Sequence, residues 1–316
     1  MTSITLTAPA KVNLFLKVLN RRPDGYHNIV TLFERVSLAD KVAISKIPQG
    51  IIVSSDKFIT RNPKDNIIYR AAELILKHNG ADKGRIGGER GRIGENKGMI
   101  GGDKGVMIRV RKRIPIAAGL GGGSSDAAAT LIGINKLCRL GLTDKELMAL
   151  GRKIGADVGF FITGMPFAIG QGTGDILRKC HIRLKLYHLI IYPGFKVATR
   201  GIYQEYDRRT RGLTSAIPDD KISRLLNNSR NLNSVESMLR NNLEDVVIAK
   251  KPVIGRIIER LAHTLDKKAV VSGSGPSVFC LYSTRKEAMA ARKRLSDEMT
   301  AGEKKRWQVF IAETLV

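Results

Sequence analysis

Residues 115–126 read PIAAGLGGGSSD and lead into AAATLIGINKLC, an apolar stretch with helical character. Glycine lets a chain turn tightly with no side chain in the way, so such a loop bares several backbone N–H groups at once. A helix behind it adds its own N–H groups and the positive end of its dipole, and the combination is an anion cradle, most often for phosphate. The cradle is predicted to comprise Pro115, Ile116, Ala117, Ala118, Gly119, Leu120, Gly121, Gly122, Gly123, Ser124 and Ser125. It is not a G-x-x-x-x-G-K-[ST] loop, because no lysine precedes the serines, and Ser124 stands where G-x-G-x-x-G needs its third glycine. A solvated surface loop is the competing reading; the Ser-Ser-Asp entry into a long apolar helix favours phosphate.

Phosphoryl transfer asks a protein to hold a triphosphate, to neutralise the developing charge, and to orient and deprotonate the acceptor hydroxyl. The loop answers the first demand. Lys11 is a candidate cation and Asp157, in GADVGFF, a candidate base. Each has a bland alternative, since a lysine near a strand commonly lies at the surface and an aspartate after a helix is commonly a cap.

Composition bounds the class. A chain of 316 residues is long enough for two domains with their own cores, and 43% hydrophobic and 26% charged residues are ordinary for a globular protein. The start, MTSITLTAPAKVNLFLKVLN, lacks a basic n-region and is interrupted by Lys11 and Lys17, so neither a signal peptide nor a membrane anchor is expected and the location is read as cytoplasmic. Cys138, Cys180 and Cys280 lie far apart and read as reduced core thiols, with no metal site or disulfide framework implied. The net charge of +25 suits a nucleic acid, a polyanionic substrate, or only a basic proteome. With aromatics at 5% and no nucleic-acid-binding signature, a small anionic substrate is the better reading.

The elements that must position these residues follow from periodicity. Val12, Leu14, Leu16 and Val18 alternate with Lys11, Asn13, Phe15 and Lys17 along one strand, so Lys11 and Asn13 share a face. The turn DGYH (24–27) follows, then strands within 29–44 and 51–53 and a helix over 66–79. Residues 106–111 read as the strand that delivers the loop, and 124–138 as the helix it enters. Thr143 and Glu146 form a capping box. Farther on come a strand at 186–192, a helix at 199–208, a polar stretch at 209–235, helices at 237–249, 252–265 and 284–298, and a last strand at 307–315. The turn Gly273-Ser-Gly275-Pro276 between two apolar strands reads as a hairpin connection or as a second backbone approach to phosphate. Residues 84–104 repeat with period seven (GRIGGER, GRIGENK, GMIGGDK), but one apolar position per copy cannot make a coiled-coil seam, and a solvated insertion is expected. The irregular mixture of strands and helices predicts α+β packing.

Taken together, APAKVNLFL (8–16), the glycine-serine loop, GADVGFF (155–161) and SGSGPSVF (272–279) stand in the order that resembles the GHMP kinase superfamily. AKVNLFL with DGYH is most similar to those members that phosphorylate a cytidine diphosphate sugar alcohol. The resemblance spans nearly the whole chain apart from the 84–104 repeat, and implies a two-domain GHMP fold: an ATP-binding domain over 1–180 and a ferredoxin-like α/β-plait domain over 181–316. It implies ATP as co-substrate with Mg2+ and a small-molecule acceptor; no membrane partner is expected, and a basic nucleic-acid-binding protein is the remote alternative, supported by charge alone. Lys11 and Asp157 would be the catalytic pair, with Asn13 positioning the sugar-alcohol part. Tyr26 and His27 would bind the cytidine, Tyr203 would cover its ring, and Thr199 would touch substrate. The metal ligands stay open, a loop serine being one candidate. Three positions depart from the pattern: Gly159 replaces a proline, Ala118 replaces a common glycine, and Gly170-Gln-Gly172-Thr173-Gly174 lacks an arginine. A homoserine- or mevalonate-type kinase is the alternative within the superfamily.

Overall fold

The computed structural model describes residues 2–81, 105–180, 182–210 and 231–316. The 84–104 repeat and most of the polar stretch at 209–235 lie outside them. The described chain forms two compact units, neither continuous in sequence. The first comprises Met1–Ala8, Ala39–Arg113 and Gly122–Gly164; the second comprises Pro9–Leu38, Ile114–Gly121 and Met165–Val316. Two long neighbouring strands, β1 (Ser3–Arg21) and β2 (His27–Ile47), give residues to both.

In the first unit β2 pairs antiparallel with β4 (Gly105–Arg111), from Lys41↔Arg111 to Ile47↔Gly105, and β4 pairs parallel with β3 (Ile51–Ser55). Four helices belong here: α1 (Ile67–Ala81), α2 (Gly122–Cys138), α3 (Asp144–Arg152) and α4 (Val158–Thr163). Helix α2 packs on α1 and α4. It lies hard against the sheet because Gly133 has no side chain: a β-carbon there would fall 2.5 Å from Ile44 Cδ1 and 2.8 Å from Leu6 Cδ1. The capping box that opens α3 is formed, with Glu146 N donating to Thr143 Oγ1 and Thr143 N donating to Glu146 Oε2.

In the second unit β2 also pairs antiparallel with β5 (Phe167–Gln171), which carries β6 (Ile176–Lys179), while β8 (Arg240–Asn241) lies parallel to β1 with Leu16 opposite Asn241. A separate antiparallel sheet has the order β11 (Gln308–Glu313), β7 (Tyr187–Tyr192), β10 (Val278–Tyr282), β9 (Val270–Val271). Alternation along β7 divides two cores. Leu189 and Ile191 join Ile254, Ile257 and Leu261 of α8 (Pro252–Leu265) and Ala288, Ala291 and Leu295 of α9 (Arg285–Glu298), whereas Ile190 joins Val12, Leu14 and Phe167. Full burial of each such side chain is worth about 1.5–3 kcal/mol. The remaining helices are α5 (Thr199–Thr210), α6 (Leu232–Met238), α7 (Glu244–Lys250) and α10 (Ala301–Arg306). A buried polar staple, in which Glu34 lies 2.9 Å from His188 Nε2 and accepts from Thr314 Oγ1 at 2.6 Å, ties β2 to β7 and the chain end.

The α+β class expected from the sequence is the class observed. One helix differs. The segment 237–249 is broken by β8, because Leu239 leaves the helical region and the Asn241 side chain accepts from Leu243 N instead of letting the backbone helix continue. Helix α4 and strands β5 and β6 have too few residues to leave a periodic signal. The three described cysteines are free thiols and buried, and burial pushes the Cys280 thiol up to about 12.

Candidate active site

The second unit holds Lys11, Asn13, Tyr26, His27, Thr199, Tyr203 and the first part of the loop through Gly121. Lys11 and Asn13 share a face of β1, as their spacing predicts, and both are buried. Lys11 Nζ donates to Asn13 Oδ1 at 2.5 Å and lies 5.3 Å from the centroid of the Phe33 ring. Asn13 Nδ2 in turn donates to Thr31 Oγ1 at 2.8 Å, and that hydroxyl donates to Phe15 O. An ammonium withdrawn from water is costly unless its partners are fixed, and here they are.

The loop is bound to this strand by backbone. Lys11 N donates to Leu120 O, and Ser277 N donates to Ala118 O. Gly119 has φ +79 and Gly121 φ +69, conformations that suit glycine. A β-carbon on Gly119 would fall 2.2 Å from Ser272 O, so glycine is demanded there by space as well. The Gly273–Gly275 turn thus comes close to the backbone of the loop. That turn is also the β9–β10 hairpin connection, closed by Ser272 N donating to Ser277 O. Ala118 is buried and has an ordinary φ; it is Ala117, exposed, that takes the left-handed conformation at φ +55.

The DGYH turn places its two aromatic residues differently. His27 is buried, with Nε2 2.6 Å from Asp207 Oδ1 and its ring 4.9 Å from the Tyr203 ring at an interplanar angle of 30°. Tyr26 is 65% exposed, and its backbone N donates to Asp24 Oδ1. Asp207 was missed in the sequence because it sits in the basic run 207–211 and reads as a surface charge. Thr199 at the start of α5 is exposed at residue level, and its hydroxyl is 2.8 Å from Ser274 Oγ. Thr173 is engaged in a local turn in which its N and Oγ1 both donate to Asp175 Oδ1.

The first unit holds Gly122, Gly123, Ser124, Ser125 and Asp157. Helix α2 starts at Gly122, so both serines lie in its first turn, where N–H groups point outward. The GAD turn packs beside them: a β-carbon on Gly155 would sit 3.8 Å from Ser124 Oγ. Asp157 is half-buried at the N-cap of α4 and makes no side-chain capping bond to that helix. Gly159 occupies the second position of α4, a first-turn site that would accept a proline.

Sequence reasoning missed the neck of the loop. Lys112 Nζ donates to Asp126 Oδ2 at 2.7 Å and to Asp40 Oδ2, with all three side chains buried. Asp40 also accepts from Arg113 N, and Asp56 from Lys112 N. Burial first, and then the facing Asp40 charge, push the Asp126 carboxyl up to about 7 against the pull of Lys112. A cavity of about 390 Å³ opens beside this neck, lined by Lys41, Asp56, Arg111, Lys112 and Arg113. Lysine and aspartate separated by fourteen residues give no local pattern, which is why the pair was not legible. Among the described residues no group of three or more His, Cys, Asp or Glu could hold a metal ion, and no helix is long and apolar enough to cross a membrane.

Comparison with known families identifies the class of protein. Residues 66–165 match the GHMP kinases N terminal domain and residues 222–301 match the GHMP kinases C terminal model. The chain belongs to the GHMP kinases. It is similar over nearly all its length to proteins named 4-diphosphocytidyl-2-C-methyl-D-erythritol kinase. The relative from Pelobacter propionicus is 38% identical, covering 100% of both chains, and that from Geobacter metallireducens is 37% identical over 94% of this chain and 95% of its own. A crystal structure of 4-(cytidine 5'-diphospho)-2C-methyl-D-erythritol kinase superposes with a TM-score of 0.72 at 29% identity, covering 98% of each chain. The homoserine kinase from Cytophaga hutchinsonii shares the fold, with a TM-score of 0.65 at 17% identity over 100% of this chain and 95% of that one.

Proposed function

We propose that the chain transfers the γ-phosphoryl group of ATP to the 2-hydroxyl of 4-(cytidine 5′-diphospho)-2-C-methyl-D-erythritol, giving the 2-phosphate and ADP. This is a cytoplasmic step of the methylerythritol phosphate route to isoprenoid precursors. The observation that carries the choice of acceptor is the His27–Tyr203–Asp207 cluster: a buried imidazole fixed by a carboxylate and faced by a phenol ring suits a cytosine, whose face is apolar and whose edge needs directed hydrogen bonds. A homoserine or mevalonate acceptor has no ring for such a cluster to meet.

In this reading residues 1–180 form the ATP-binding domain and 181–316 the C-terminal domain. The loop at 115–125 holds the triphosphate through backbone N–H groups and the N-terminus of α2. Asp157 takes the proton of the acceptor hydroxyl, and Lys11 favours the ionised form of that oxygen. Asn13 holds the Lys11 ammonium in place and positions the methylerythritol part. Tyr26 and Thr199 complete the acceptor site. Ser125 Oγ, in the first turn of α2, is a buried oxygen with no hydrogen-bond partner among the described residues, and this loop serine would be the ligand offered to a hard cation. Mg2+ bound with ATP would neutralise phosphate charge there. The net charge of +25 favours two anionic substrates.

Titration of cytidine diphosphate into the protein without ATP tests the acceptor site directly. Binding is expected in the unsubstituted chain and a loss of about tenfold or more in His27→Ala, since a base–aromatic contact is worth about 1–3 kcal/mol. Equal binding by both would sink the cytidine assignment.

A further inference from the structure

Asn241 ends β8, buried, and uses every polar atom of its side chain. Nδ2 donates to Val271 O and to Gly273 O, both at 2.7 Å, and Oδ1 accepts from Leu243 N at 2.9 Å. Glu244, three residues on, accepts from Val271 N at 2.8 Å. The two side chains grip one peptide segment from both of its edges, with Ser272 between the two carbonyls that Asn241 holds.

That segment touches the residues of the chemistry. Ser272 Oγ donates to Gly119 O at 3.0 Å and accepts from Asn13 N at 3.4 Å. Gly273, at φ +58, comes so close that a β-carbon on it would lie 3.2 Å from Asn13 Oδ1 and 3.5 Å from Lys11 Nζ. The Lys11 ammonium therefore has Gly273 at its side, and Asn241 holds the carbonyl of Gly273 and that of Val271 two residues before it. The parallel pairing of β8 with β1 seats Asn241 opposite Leu16, on the strand next to the one that carries Lys11.

We infer that Asn241 is a positioning residue for phosphoryl transfer: by holding the carbonyls of Val271 and Gly273 it sets Ser272 and Gly273 against Lys11 and Asn13. The inference rests on the proposed role of Lys11. Two carbonyls need two donors, so the nearly isosteric Asn241→Asp change puts acceptor against acceptor while keeping the bond to Leu243 N. Small displacements of catalytic groups are enough to matter, since an error of about 1 Å can cost about a hundredfold in rate.

The test is steady-state kinetics with ATP and the cytidine diphosphate acceptor, together with melting temperature, for Asn241→Asp and Asn241→Ala in the full chain, each alone and combined with Lys11→Ala. Asn241→Asp is expected to lower kcat by about ten- to a hundredfold while both KM values stay near those of the unsubstituted chain. On the Lys11→Ala background it should add little further loss, because groups that act as a unit are not additive. Glu244→Gln keeps an acceptor for Val271 N and should retain turnover, whereas Glu244→Ala should fall with the Asn241 variants. A kcat unchanged beside a lowered melting temperature overturns the inference, as does a loss that multiplies in full with that of Lys11→Ala. If Lys11→Ala alone turns over normally, the reading of Lys11 fails instead, in a chain where Asn241 is intact. Should Asn241→Ala not fold, Asn241→Asp and the Glu244 pair decide the matter.

Discussion

Lys112 and Asp126 stand at the two ends of the glycine loop, one just before it and one just after, and their side chains meet at 2.7 Å. The bond closes the neck of the loop, and Asp40 holds the same ammonium from β2. Lys112→Met would leave two buried carboxylates facing each other without their cation, and removing one partner of a buried pair costs about 3–5 kcal/mol. Urea denaturation is expected to show a loss of that order. A loss below about 1 kcal/mol would mean that water reaches the site.

The same cluster carries a pH dependence. Folded Asp126 keeps its proton up to about 7, raised by burial and by Asp40, whereas in the unfolded chain it gives the proton up near the ordinary carboxyl value of 3.8. Between those values the folded state binds more protons, so the stability contributed by this group declines as pH rises from about 4 to about 7. Asp126→Asn should flatten that part of the stability–pH curve, measured by denaturation at several pH values. An unchanged slope would show that Asp126 is ionised throughout.

How far the sequence could be read depended on the range of the interaction. The shared face of Lys11 and Asn13, the capping box of Thr143 and Glu146, and the helix from Pro252 were legible because each is set by neighbours two to four residues apart. Lys112 with Asp126, His27 with Asp207, and Asn241 with Gly273 were not, since chain separation hides such pairs and only the fold supplies them. The misread helix at 237–249 is the same lesson locally: Asn241 serves a carbonyl thirty residues away rather than a helical turn.

Ala117 and Gly119 should respond in opposite directions to exchange. Ala117 holds φ +55, which costs a non-glycine residue about 1–2 kcal/mol, more than the entropy that glycine adds to the unfolded chain. Ala117→Gly is expected to raise Tm slightly and leave ATP affinity intact. Gly119→Ala drives a β-carbon to 2.2 Å from Ser272 O and should lower both Tm and ATP affinity. A silent Gly119→Ala would show that the loop is not packed on the hairpin as described.

Acceptor and donor sites should separate kinetically. Tyr26→Ala and His27→Ala are expected to raise KM for the cytidine acceptor with KM for ATP nearly constant, and Gly122→Val to do the reverse by blocking backbone approach to phosphate. Equal weakening of both substrates by all three variants would point to general unfolding and remove the DGYH turn from cytidine recognition.

Asp157→Asn should keep the fold and ATP binding but lower turnover by about 10²–10⁴-fold, the usual worth of general-base assistance. Turnover within a few-fold of the unsubstituted chain would exclude Asp157 from the mechanism.

The measurement that tests the account most directly is ADP release from ATP with three acceptors offered separately: 4-(cytidine 5′-diphospho)-2-C-methyl-D-erythritol, homoserine and mevalonate. The account predicts rapid ADP release with the cytidine acceptor alone, accompanied by its 2-phosphate. Comparable turnover with homoserine or mevalonate, or ADP release indifferent to the acceptor, would contradict it.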